Sequence, residues 1–153
     1  MTIDYLKTQK IIHWLMAIII MLDLNVAQKF GGNMELWDRL ESRSDHATAG
    51  MIVTFLFILR IILRYVYGAP KLPSTMPAWQ VASAKLGHYS LYFLMAGLII
   101  TGISMASFAS DPIIVFGIDL AFALHNQSTF HLIRDFHEFC TNAIILLIII
   151  HIG

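Results

Sequence analysis

The chain has 153 residues, 58% of them hydrophobic and 13% charged, with a formal net charge of zero. That much apolar surface excludes an ordinary water-soluble domain of this length, and the balanced charge gives no basis for nucleic-acid binding. Cys140 is the only cysteine, which excludes an internal disulfide and any metal site built from several thiolates.

Four apolar segments are each about long enough to cross the hydrocarbon core of a bilayer as a helix at ~1.5 Å per residue. The first, residues 11–30, follows Lys7 and Lys10. It carries Asp23 and Asn25 and lacks a small-residue cleavage site, so it is read as a retained helix rather than a signal peptide. Gly31-Gly32-Asn33 then signals a turn into a stretch of mixed charge. The second span covers 47–67 and is stopped by Pro70, Pro73 and Pro77, which also bar an early restart. The third covers 86–108. The connection 110–127 opens with Asp111-Pro112 and turns apolar at Ile113, Ile114, Val115 and Phe116, a length suited to the interface rather than to crossing. Ser128 is a possible cap for a helix that projects outward before entering the membrane as the fourth span, 136–153. The predicted fold is all-α integral membrane: one domain over 1–153, a four-helix transmembrane bundle running up-down-up-down.

Lys7, Lys10, Arg60, Arg64, Lys71 and Lys85 fall on one side, and Lys29, Arg39, Arg43 and Arg134 on the other. The positive-inside rule counts basic residues and so places both termini in the cytoplasm. Acidic residues gather on the outer side, where on average they repel an anion, although Arg39, Arg43 or Arg134 could guide one locally. Trp14, Trp37 and Trp79 lie near predicted interfaces and are read as headgroup anchors.

Five of the seven histidines sort by depth. His46 and His137 form an outer tier; His13, His88 and His151 form an inner one. A lone helical histidine is ordinarily a hydrogen-bonded packing residue. Ionisable side chains at membrane depth are nevertheless costly and mark function. His151 follows His137 by fourteen residues. At ~100° per residue the two return to within about 40° of one face, roughly 21 Å apart. Imidazoles in two tiers predict bound metal, most readily two stacked haems. Ala17, Gly50 and Thr141 each follow a histidine by four and leave room for a flat porphyrin, whereas His88 has the bulky Tyr92 there. The inner tier holds one histidine too many, and spacing alone does not say which. His125 and His131 are expected to be solvated or interfacial.

Other residues carry secondary expectations. Arg60 and Arg64, four apart on one inner face, suit haem propionates or lipid headgroups equally. Lys85 and His88, three apart, are candidates for holding a quinone carbonyl or moving its proton. Asp23 reads as a protonated structural acid or as part of a proton path, the former preferred. Cys140 reads as a structural thiol.

The ordered set of local motifs adds a resemblance. It comprises Gln9-Lys10-Ile11-Ile12-His13-Trp14-Leu15, His46 with Gly50, and Arg60-Ile61-Ile62-Leu63-Arg64 before the proline loop. Leu86-Gly87-His88 with Tyr92, and Phe136-His137-Glu138 with His151, complete it. Over essentially the whole chain this resembles the bacterial cytochrome b561 family, which is similar to the cytochrome b subunits of nickel hydrogenases. The resemblance implies a multi-pass protein of the bacterial inner membrane, embedded in lipid, with two haem b groups. It assigns His13 with His151 to the inner iron and His46 with His137 to the outer iron, leaving His88 as the spare. It implies electron transfer with the quinone pool, ubiquinone being the expected substrate. Some members are similar to a superoxide oxidase, a superoxide:ubiquinone oxidoreductase. The alternatives are a cytochrome b subunit of a larger dehydrogenase or hydrogenase, paired with a partner oxidoreductase subunit, or a homodimer. A non-redox metal transporter is the remaining class, disfavoured because neither broken helices nor inverted repeats are evident. Related chains continue beyond the last histidine with a basic tail. This one stops at Gly153, so the inner edge of the His151 site is expected to be thinly covered.

Overall fold

The computed structural model describes residues 5–29, 33–70, 72–121, 124 and 126–152. Gly31, Gly32, Lys71, His125 and Gly153, which entered the expectations above, lie outside the described residues. Four helices dominate: α1 (Lys7–Gln28), α2 (Leu36–Tyr67), α3 (Ala78–Phe108) and α4 (Gln127–Ile152). Each is long and apolar enough to cross a membrane.

All four helices begin earlier than the predicted spans. Hydropathy marks only the apolar part of a helix, and the polar stretch 36–46 continues α2 because it contains neither proline nor glycine. Pro77 does not delay α3. It sits at the N-cap, where a missing backbone N–H is harmless. Ser128 is not the cap of α4, which begins one residue before it. Asn126 caps instead: its Oδ1 accepts from the Thr129 N–H at 3.0 Å and from the Ser128 hydroxyl at 2.7 Å.

The chain divides into two compact units. The first holds α1, α2 and the segment Asp111–Leu120. Its two helices run antiparallel, because Gln9 at the start of α1 bonds to the end of α2 while Asp23 late in α1 meets His46. Ile12 and Met16, four apart on α1, and Val53, Leu56 and Phe57 on one face of α2 are its buried helical apolar residues. Gln9 is itself buried. Its Nε2 donates to the Leu63 and Gly68 carbonyls, both at 3.2 Å, and its Oε1 accepts from the Leu6 N–H at 3.2 Å. Gly68 caps α2 with φ 71° and ψ −158°, a region essentially reserved for glycine.

The apolar connection after α3 forms a small antiparallel hairpin, β1 (Ile114–Val115) with β2 (Ile118–Asp119). Phe116 (φ 51°) and Gly117 (φ 81°) make its two-residue turn, and positive φ at both positions matches the twist of the strands. Arg43 pairs with Asp111 at 2.8 Å and the Ser44 hydroxyl accepts from the Ile114 N–H at 3.1 Å, fastening the hairpin to the polar extension of α2.

The second unit holds α3 and α4, also antiparallel. Gly97 faces the buried Cys140 and Gly102 faces His137, while His88 meets His151. Leu94, Met95, Thr101, Ala106, Cys140 and Ile144 are buried. Gly97 and Thr101, four apart, give the small-residue face that lets membrane helices approach closely.

Candidate metal centre

α2 carries His46 half-buried, and α1 brings Asp23 beside it: Nδ1 and Asp23 Oδ1 lie 2.8 Å apart. The side chains are 31% and 16% exposed, so the contact is largely shielded from water. Where Asp23 is ionised it only accepts, and Nδ1 then carries the ring proton and donates it. The lone pair able to meet a metal is then on Nε2.

α4 carries His137 half-buried against α3, and its Nδ1 lies 2.7 Å from the Thr101 hydroxyl. That hydroxyl also stands 2.7 Å from the Gly97 carbonyl and 3.1 Å from the Leu98 carbonyl. With its single proton on a carbonyl of the preceding turn, its oxygen accepts from a protonated His137 Nδ1. In that tautomer the ring lone pair is on Nε2. A Cβ on Gly102 would stand 3.6 Å from His137 Cε1, so the glycine leaves one face of the imidazole open by a methyl group.

Of the three histidines expected in the inner tier, His88 and His151 are exposed. His13 on α1 is half-buried, with its ring 5.8 Å from that of Trp14. His88 on α3 is exposed and its Nδ1–H donates to the Ala84 carbonyl at 2.7 Å. Its ring lies 5.5 Å from that of His151, edge to face at 77°. Lys85, one turn before His88, is exposed. Arg60 is half-buried; Arg64 is exposed and donates to the Tyr5 hydroxyl at 2.8 Å. His131 is exposed, with its ring 5.8 Å from that of Phe130.

The arginines expected to guide an anion are engaged. Arg43 pairs with Asp111 and Arg134 with Glu138, the latter at 2.7 Å. Arg39 donates to the Met34 carbonyl at 3.5 Å.

Within the two units the structure thus brings together Asp23 with His46, Thr101 with His137, and His88 with His151. Sequence reasoning named the histidines but missed both partners. Asp23 carried a signal, since it is the only acidic residue of α1 and a carboxylate there requires a partner. Thr101 carried only its spacing of four from Gly97.

This arrangement fits haem. A metal-ligating histidine ordinarily gives its second nitrogen to a carboxylate or another acceptor, which fixes the tautomer and the ring orientation. Haem iron asks the protein only for axial ligands. Among the described residues no group of three or more His, Cys, Asp or Glu side chains is placed to hold a bare ion.

The family model for prokaryotic cytochrome b561 matches residues 4–153. The chain is similar to cytochrome b561 homolog 1 of Escherichia coli (strain K12), with 28% identity over 152 residues, 96% of this chain and 85% of that protein.

Proposed function

The chain belongs to the prokaryotic cytochrome b561 family, and on that premise we propose that it is a di-haem b-type cytochrome of the bacterial inner membrane, carrying electrons between a donor and the quinone pool. Membership brings haem b binding and membrane electron transfer; the two-haem count, the ligand pairs and the quinone belong to the proposal. The observation that carries it is the shared preparation of His46 and His137. Each has Nδ1 within hydrogen-bond distance of a side chain on a neighbouring helix, the second-nitrogen contact that metal-ligating histidines ordinarily make.

In this reading His46 and His137 ligate the outer iron and His13 and His151 the inner one. The helices run up-down-up-down with both termini in the cytoplasm. The bound group supplies a ferric/ferrous couple that accepts and releases one electron at a time. The chain's own residues do the rest. Asp23 and Thr101 hold ligand imidazoles in register, and the apolar helices exclude water. Arg60 offers a cation to propionates at the inner side. Arg64 offers another, once released from Tyr5. His88 and Lys85 are the groups proposed to meet the quinone, with the His88 ring set at 77° to that of His151.

A reduced-minus-oxidised absorption spectrum of the purified protein, with extracted haem counted per chain, tests this. Two b-type haems per wild-type chain and one in His46→Ala are expected. A haem-free protein sinks the reading. Superoxide is the donor to try first, by following ubiquinone reduction. Because Arg43 and Arg134 are already paired, any steering of that anion is weak, and the rate should change little with added salt.

A further inference from the structure

Asp23 has work beyond pinning one helix to another. Its carboxylate stands 2.8 Å from Nδ1 of His46, with only 16% of its side chain exposed. Elsewhere the equivalent position is filled by a neutral group: a threonine hydroxyl serves His137 and a backbone carbonyl serves His88. Of these three partners Asp23 alone can carry a full negative charge, although an uncharged acceptor would hold the ring as well.

We propose that Asp23 is a positioning and tuning residue that lowers the redox potential of the haem held by His46. The inference rests on the reading of His46 as an axial ligand. Two physical effects act in the same direction. A carboxylate accepting Nδ1–H draws that proton away and makes Nε2 a stronger electron donor, which favours ferric iron. Reduction also adds one electron, hence one negative charge, beside a carboxylate in a poorly screened site, and the two charges repel. Both effects resist electron uptake at that iron and speed electron release from it. Thr101 exerts neither effect with a full charge. A buried carboxylate that was protonated and merely structural would exert neither.

The experiment is a mediated redox titration of the purified, haem-loaded protein, with the low-temperature electron paramagnetic resonance spectrum of the ferric state recorded alongside. Asp23→Asn keeps the shape and an accepting oxygen but removes the charge. Asp23→Glu keeps the charge and lengthens the arm. Expected are full haem content in both, a shift of one of the two potentials to a more positive value in the Asn variant, and a potential near wild type in the Glu variant. The ferric signal of the same haem should move in the Asn variant alone. Each variant changes one property, so whichever of the two folds decides the matter. An Asn variant with unmoved potentials overturns the proposal, as does a Glu variant whose potential rises as the loss of charge would predict. Those outcomes leave the ligand assignment intact. The assignment fails separately, if His46→Ala retains both haems.

Discussion

Thr101 has one hydroxyl proton and more than one oxygen in reach of it, and that arithmetic governs His137. With the proton on a carbonyl one turn back, the hydroxyl oxygen accepts and the imidazole donates from Nδ1. Thr101→Val preserves the shape and removes the acceptor. Loss of such a partner lowers metal-site affinity by roughly 10–100-fold. Haem retention by the variant on dilution should fall accordingly, and Thr101→Ser should restore it. Gln9 makes a comparable case for stability. Gln9→Leu strips partners from the Leu6 N–H and from the Leu63 and Gly68 carbonyls. It should destabilise the first unit by about 1–3 kcal/mol for each group left buried and unpaired, read from thermal unfolding in detergent. The histidines were legible as candidates because each of the five falls within or at the start of an apolar helix. Their partners were not. Asp23 meets His46 only once two helices have a register, and Thr101 meets His137 only once two others do.

Helix lengths show what hydropathy reads and what it does not. The four spans were legible as apolar runs. The polar start of α2 is helical for a separate reason, its freedom from helix breakers, and no hydropathy signal marks it. Ser128 and Asn126 are both good capping residues, so side-chain chemistry alone did not separate them; the backbone geometry did. Two backbone positions carry the sharper tests. Gly68 holds φ 71° and ψ −158° while its carbonyl receives Gln9. Gly68→Ala should cost about 1–3 kcal/mol, seen as a lowered unfolding temperature. Phe116 holds φ 51°, a left-handed conformation that bulky residues avoid, at a cost of roughly 1–2 kcal/mol. Phe116→Asn creates the Asn-Gly pair that such a turn favours and should stabilise the hairpin. The check is slower hydrogen exchange at the Leu120 N–H, which bonds to the Ile113 carbonyl at 2.9 Å.

The whole molecule is two helical hairpins, each closed by polar contacts at chosen depths. The first is tied by Gln9 at one end and by Asp23 with His46 towards the other. Charge bias along the chain expects both termini in the cytoplasm. Reporter fusions at the two ends should both be active on that side, and a reporter placed in the 110–127 connection should be active on the opposite one. That connection has a consequence for how the protein is made. Residues 111–120 belong with α1 and α2, yet the ribosome delivers them only after α3. Every partner of Gln9 is in place once Gly68 has emerged, so the base of the first hairpin can close early. Arg43 and Ser44 must wait for Asp111 and Ile114. In the proposed up-down topology those late residues reach the face of the bilayer that holds Arg43 and Ser44 only once α3 has crossed it. Completion of the first half then waits on insertion of the third helix, and a chain that stalls there leaves Arg43 without the carboxylate of Asp111 and Ser44 without the Ile114 N–H.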